Sequence, residues 1–166
     1  RCRSDNGVPN EIMTKYYTER SEDAGVVLTE CIPISKLGHS FKGAGAAYTN
    51  EHKEGWKKLV DSVHKHNGKI VAQVYHCGRS ATTEDLDGET PVSSSAVKNR
   101  YGGKYEVPRE LSIPEIKNIV KEFAKSAELI KEAGFDGIQL HGANGYLVDQ
   151  FLRDATNQRN DEYGGS

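Results

Sequence analysis

Cysteine is scarce in this sequence, with 3 among 166 residues. Cys2, Cys31 and Cys77 stand too far apart for a disulfide framework or a CxxC metal site, so no metal is expected and a reducing, cytoplasmic compartment fits best. Nor is there an excess of charge of one sign: 22 Lys and Arg face 24 Asp and Glu, and a net charge of -2 gives no electrostatic case for a nucleic-acid partner. No stretch approaches the roughly 18 consecutive apolar residues of a membrane span. Arg1 to Glu22 holds no apolar core of a signal peptide. Neither an internal repeat nor a hairpin signal is present.

What is present alternates in period. From Asn10, apolar Ile12, Met13, Tyr16 and Tyr17 have helical spacing, with Gly25 as a stop, and Val26 to Glu30 reads as a buried parallel strand. The Gly- and Ser-containing stretch from Pro33 to Tyr48 has no sustained period and reads as a functional surface loop. Thr49 or Asn50 caps a helix whose face is Trp56, Leu59, Val60 and Val63, ending at Asn67-Gly68. Lys69 to Tyr75 is the next strand. The polar stretch from Cys77 to Leu111 reads as a lid or substrate loop. Ser112, Pro114 and Glu115 start a capped helix with Ile116, Ile119, Val120, Phe123, Ala127 and Ile130 on its buried face, stopping at Ala133-Gly134. Phe135 to Leu140 is a third strand. This order belongs to βαβ units and a parallel α/β sheet, with too few strands to close a (βα)8 barrel of about 250 residues. It is either a small open sheet or part of a barrel, and the chain's start on Arg1 and its Gly-Gly-Ser end favour a piece of a longer protein.

Ligands of parallel α/β folds bind at the carboxyl ends of strands. There lie Thr29-Glu30-Cys31, Gln73 to His76 and His141 to Tyr146. Gln73 sits inside an apolar pattern, either as a satisfied structural amide or as a donor and acceptor for the mixed edge of a heterocycle. His141 and Asn144, three apart in a Gly-rich turn, would offer two donors to one carbonyl or anionic oxygen, or form a plain turn. Tyr146 adds a hydroxyl at the same rim. His64 and His66 read as a solvated helix face, and Cys77 as a small buried residue.

The segment His141-Gly-Ala-Asn144-Gly-Tyr146-Leu-Val-Asp-Gln-Phe-Leu-Arg, with Thr156-Asn-Gln-Arg-Asn-Asp-Glu-Tyr-Gly-Gly-Ser166, closely resembles the signature of the old yellow enzyme family. Arg1-Cys-Arg-Ser-Asp-Asn-Gly-Val-Pro, Tyr16-Tyr17-Thr-Glu-Arg20, Leu28-Thr-Glu30 and Gln73-Val-Tyr-His-Cys-Gly-Arg79 follow that family in the same order. The resemblance implies part of a (βα)8 TIM barrel, roughly strands 2 to 4, with residues 1–166 belonging to one flavin mononucleotide (FMN) oxidoreductase domain that lacks its N- and C-terminal portions here. It implies an enzyme that takes hydride from NADPH or NADH and reduces the C=C bond of an α,β-unsaturated carbonyl compound, with a small-molecule enone or quinone as partner.

Carried over by residue, Gln73 matches the amide at the flavin pyrimidine edge and Cys31 a small residue beside the flavin. His141 and Asn144 match the pair that binds the substrate oxygen, Tyr146 the proton donor, and Tyr75 an aromatic residue shaping the substrate pocket. His-x-x-Asn favours the branch with that pair over the branch with two histidines. The family's phosphate-binding glycines and arginine would lie outside this chain, as would the Thr that commonly precedes the position of Arg1. Alternatives are a dienoyl-CoA reductase-like or amine dehydrogenase-like relative, or a truncated, catalytically silent binding or structural domain.

Overall fold

In the computed structural model, residues 3–101 and 103–165 are described. Arg1, Cys2, Gly102 and Ser166 lie outside them, and with Arg1 and Cys2 goes the start of the opening motif. Helix α1 spans Glu11–Ser21, and the Asn10 side chain caps it by accepting the Met13 N–H. Only half of its expected apolar face turns inward: Met13 and Tyr17 are buried, whereas Ile12 and Tyr16 are exposed.

Strand β1, Val27–Pro33, runs beyond the expected end at Glu30 because Ile32 and Pro33 are buried and continue the pairing with the next strand. Its register shifts between Leu28 and Cys31, so the strand bulges at Thr29 and Glu30 just below the site. The stretch expected as a surface loop is largely interior instead. It includes a 3-10 turn at Lys36–Gly38, and Ile34, Ser40, Ala44, Ala46 and Ala47 are buried. Small side chains let this backbone lie against Trp56, whose indole N–H donates to Ala46 O at 2.8 Å. A Cβ on Gly45 would come within 2.7 Å of that ring.

Helix α2, Asn50–Lys65, is capped by Thr49, and Trp56, Leu59, Val60 and Val63 are all buried as their spacing predicts. Asn67 at φ 58 turns the chain out of the helix. Strand β2 is Ile70–Tyr75. Two short strands follow, β3 at Val92–Ser93 and β4 at Arg109–Glu110, paired in parallel within the stretch expected as a lid. Helix α3, Ile113–Glu132, starts where Ser112 N–H and Oγ–H both donate to the Glu115 carboxylate, at 2.8 and 2.7 Å. Gly134, at φ 91, ends it. Strand β5 is Gly137–Leu140, and the six-residue α4, Leu147–Leu152, has no counterpart in the sequence pattern.

The strands β1, β2 and β5 form one parallel sheet in that order. Ile32, Ile70, Ala72 and Val74 point to one side, where they pack with Met13, Trp56, Leu59 and Ile130 of the helices. The opposite side carries polar groups and the site. Among the described residues no helix is long and apolar enough to cross a membrane, and no group of His, Cys, Asp or Glu side chains is arranged to hold a metal ion.

Candidate active site

Because side chains alternate along a strand, residues two apart share a face. Register places Cys31, Gln73 and Gln139 side by side across the three strands. The Cys31 thiol donates to Gln73 Oε1 at 2.9 Å, and Gln73 Nε2 donates to Gln139 Oε1. Gln73 is therefore held as a structural amide and also faces the cavity described below. Sequence reasoning missed Gln139, although it interrupts the apolar pattern of its strand just as Gln73 does.

Two residues farther along, Tyr75 and His141 form the next level, their rings 6.5 Å apart. Tyr146 closes the group edge-on, 5.0 Å from each of those rings. Tyr75 is fully buried, and burial pushes its phenol far up. It bounds the site from beneath, through the rings it supports, rather than as an open wall. Ala143 N–H donates to His141 Nδ1 at 3.3 Å. That nitrogen is then the acceptor, so the ring proton sits on Nε2 and makes His141 a donor at its other edge.

The turn after β5 aims the remaining groups. Asn144 and Gly145 both have positive φ, 59 and 76, and Tyr146 N–H returns to Ala143 O at 3.3 Å. An Asn-Gly pair suits such a turn because Asn tolerates and Gly prefers the left-handed region. The Asp149 carboxylate fixes it from α4, accepting Gly145 N–H at 2.7 Å and Arg153 Nε–H at 2.8 Å. Burial raises the Asp149 pKa, but those two donors outweigh it and hold the carboxyl below its usual range. The Asn144 amide makes no hydrogen bond among the described residues and is exposed, so both its donors remain available.

Gln150 ties the turn to β2. Fully buried, its amide donates to Gly145 O at 2.7 Å and Cys77 O at 3.3 Å, and accepts from Ser93 Oγ at 2.9 Å and Arg79 N–H at 3.3 Å. Ser94 Oγ reaches Gln150 O and Thr156 O, and Ser95 Oγ accepts Gln158 N–H. The serine run expected in a lid is thus an internal brace, buried because α4 and the loop after it satisfy every hydroxyl.

His64 and His66 lie on a solvated face, His64 bonded to Asp136 at 2.9 Å. Cys77 is buried, and that burial drives its thiol far above the range of a nucleophile. His76 is buried too, which lowers it to about 4 and keeps it neutral.

These elements enclose a cavity of about 430 Å³ whose lining includes Tyr16, Leu28, Glu30, Cys31, Phe41, Gln73, His141, Asn144 and Tyr146. It brings together every candidate residue except Tyr75, which stands behind it. The donor set fits the ring end of a flavin: the Gln73 amide in the lining, beside the small Cys31 thiol, carries both hydrogen-bonding senses for a pyrimidine edge, with Gln139 bonded to it from β5 outside the lining. His141, Asn144 and Tyr146 occupy the rim above that amide.

Residues 1–166 match the family described as NADH:flavin oxidoreductase / NADH oxidase. The chain is 41% identical over 170 residues to putative 12-oxophytodienoate reductase 5 of Oryza sativa subsp. japonica, covering 100% of this chain and 46% of that protein. It is also 41% identical over 165 residues to flavin oxidoreductase hxnT of Emericella nidulans, covering 96% and 42%. Among solved structures, the old yellow enzyme homologue from Zymomonas mobilis superposes with a TM-score of 0.91 at 39% identity, covering 100% of this chain and 48% of that one. Morphinone reductase in complex with tetrahydroNAD superposes at 0.95 with 34% identity, covering 100% and 49%. The chain spans about half the length of these relatives, and its parallel sheet and crossing helices are part of their TIM barrel.

Proposed function

Since the chain belongs to the NADH:flavin oxidoreductase / NADH oxidase family, we propose that residues 1–166 form part of a single FMN-dependent barrel domain. The whole enzyme takes hydride from NADPH or NADH and reduces the C=C bond of an α,β-unsaturated carbonyl compound, an enone or quinone. One observation carries the reading: His141 with its proton on Nε2, the unengaged Asn144 amide and the Tyr146 hydroxyl meet at one rim above the Cys31–Gln73–Gln139 row.

Gln73, with Cys31 beside it and Gln139 bonded to it, would hold the flavin ring edge. Bound flavin supplies the hydride chemistry. His141 and Asn144 donate to the substrate oxygen, binding it and stabilising the enolate charge that grows there as the β-carbon is reduced. Tyr146 gives its hydroxyl proton to the α-carbon. Burial keeps this phenol above its ordinary pKa, so it stays protonated until it is used.

The test uses the full-length protein. Its visible spectrum should show bound flavin, and an added phenol should give a long-wavelength charge-transfer band. With 2-cyclohexenone, Tyr146→Phe should slow reoxidation of the reduced enzyme while sparing its reduction by NAD(P)H. Unchanged reoxidation in Tyr146→Phe would remove Tyr146 as proton donor, and absence of retained flavin would overturn the reading as a whole.

A further inference from the structure

Beside the rim lies a second cavity, of about 590 Å³, that the proposed reaction does not use. The two spaces share Asn144 in their linings. Arg79 from the loop after β2, Arg100 from the loop between β3 and β4 and Arg153 at the end of α4 all border it, against a single lining carboxylate, Asp149.

That carboxylate is already committed, accepting from Gly145 N–H and from Arg153 Nε–H. Arg79 and Arg100 form no ion pair among the described residues. Arg100 is exposed, and water screens and solvates its charge. Arg79 has no such recourse, because only 9% of it is exposed. Its Nη1 donates to Val97 O at 2.8 Å and to Lys98 O at 3.1 Å. Among the described residues its Nε is buried without an acceptor, and Nη2 makes no hydrogen bond. A guanidinium carries five N–H donors and keeps its charge at any working pH, so burying one without a counter-charge is costly.

This bonding pattern selects a ligand. With Nη1 tied to two carbonyls, the edge left over is that of Nε and Nη2, whose two parallel N–H groups match the two oxygens of a carboxylate. Arg100 brings a second positive charge to the same cavity. Resting on the functional reading above, we propose that this cavity is a subsite for the carboxylate of an acidic enone or quinone: Arg79 binds it, Arg100 attracts it, and the ketone oxygen lies on the other side of Asn144, at His141. The phosphate of a nicotinamide nucleotide shares the chemistry of an oxyanion, and the experiment separates the two sources.

The measurement is kcat/KM of the full-length enzyme for a cyclohexenone carrying a carboxylate on a short alkyl chain, compared with its primary amide, which has the same shape without the charge. Wild type should prefer the carboxylate at least about tenfold, the scale of one hydrogen bond to a charged group. Arg79→Gln should bring that ratio to about one. Arg100→Gln should lower it at least about twofold, a smaller effect because an exposed charge acts through water. A phenol-induced charge-transfer band in each variant reports an intact catalytic cavity, and if Arg79→Gln fails to fold, Arg100→Gln decides. A wild-type ratio near one, or a ratio unchanged in either variant, would overturn the subsite and leave the functional reading in place. Variants that slow flavin reduction by limiting NADPH or NADH without changing the ratio would assign the arginines to a nucleotide phosphate and overturn the proposal. A wild-type enzyme that retains flavin but reduces neither compound nor 2-cyclohexenone would overturn the functional reading, and this proposal with it.

Discussion

Replacing Gln150 tests whether the brace behind the site is as integral as its bonding indicates. Its side chain is fully buried and makes four hydrogen bonds, at 2.7 Å to Gly145 O, 2.9 Å to Ser93 Oγ, and 3.3 Å to Cys77 O and Arg79 N. Counting the two short bonds at about 1 to 1.5 kcal/mol each and the two long ones at about 0.5 each, Gln150→Ala should cost about 3 to 4 kcal/mol. Water entering the space would recover part of this, which makes the sum an upper figure. Gln150→Glu is the sharper probe, because it keeps the shape and the acceptor toward Ser93 but turns an oxygen toward the two carbonyls that Nε2 now serves. A buried carboxyl there must keep its proton to donate. Its folded pKa would rise above the unfolded value of about 4.3, so the variant's stability is present at low pH and is lost as pH climbs through that interval. Urea unfolding of the full-length protein, read by circular dichroism at several pH values, measures both effects, provided the slope stays constant. A Gln150→Ala loss below about 1 kcal/mol, or a Gln150→Glu midpoint that does not fall with rising pH, would refute the reasoning.

Gly78→Ala should strike the same brace from the other side. Gly78 has φ 58, and a Cβ there would lie 2.2 Å from Gln150 Oε1, so the added methyl meets a locked side chain in a strained conformation; a loss of at least about 2 kcal/mol is expected in the same unfolding assay. Asp136 should give an acid-side signature. Burial opposes its ionisation, but the Ile70 amide, His64 and Lys69 together hold it at about 2 against an ordinary 3.8. The depressed value means that its contribution is fully present above pH 4 to 5 and fades as pH falls through about 2. Asp136→Asn should flatten the stability curve over that interval, and an unchanged curve would assign the acid sensitivity elsewhere. At the rim, His141→Ala should weaken phenol binding at least about tenfold in a charge-transfer titration, the scale of one hydrogen bond to an anion. Equal affinity would remove His141 from the oxygen-binding pair.

The elements and strand ends are legible in the sequence because their signals are local. Thr49, Ser112 with Glu115, and Gly134 act within a few residues of the helix ends they define, and the face of α2 follows from spacing. On α3 only Ile116 and Ile130 of the expected face are buried, joined by Ser126 and Leu129, while Ile119, Phe123 and Ala127 are half-buried and Val120 is exposed. Of the site, His141, Asn144 and Tyr146 can be read as a group because one short turn holds them, and Gln73 because it interrupts an apolar strand. Gln139 carries the same signal, on a strand too short for it to stand out. The stretch at 33–48 and the serine run at 93–95 read as surface but are interior, since small and hydroxylated residues look alike whether they face water or a buried partner.

By itself, then, the sequence determined the parallel α/β pattern, the strand ends at which chemistry collects and the turn that presents the rim groups. Its motifs carry the family resemblance along almost the whole chain. Only the tertiary structure decided the Cys31–Gln73–Gln139 row, the Tyr75 position beneath the rim, the Gln150 brace and the burial of Arg79. These depend on partners far apart in the chain, 71 residues for Arg79 with Gln150 and 73 for Gln150 with Cys77. A hydrogen bond across such a distance leaves no periodicity or spacing behind. It exists because the helices and strands have already packed, and packing determines which polar side chains end up deprived of water and must find each other.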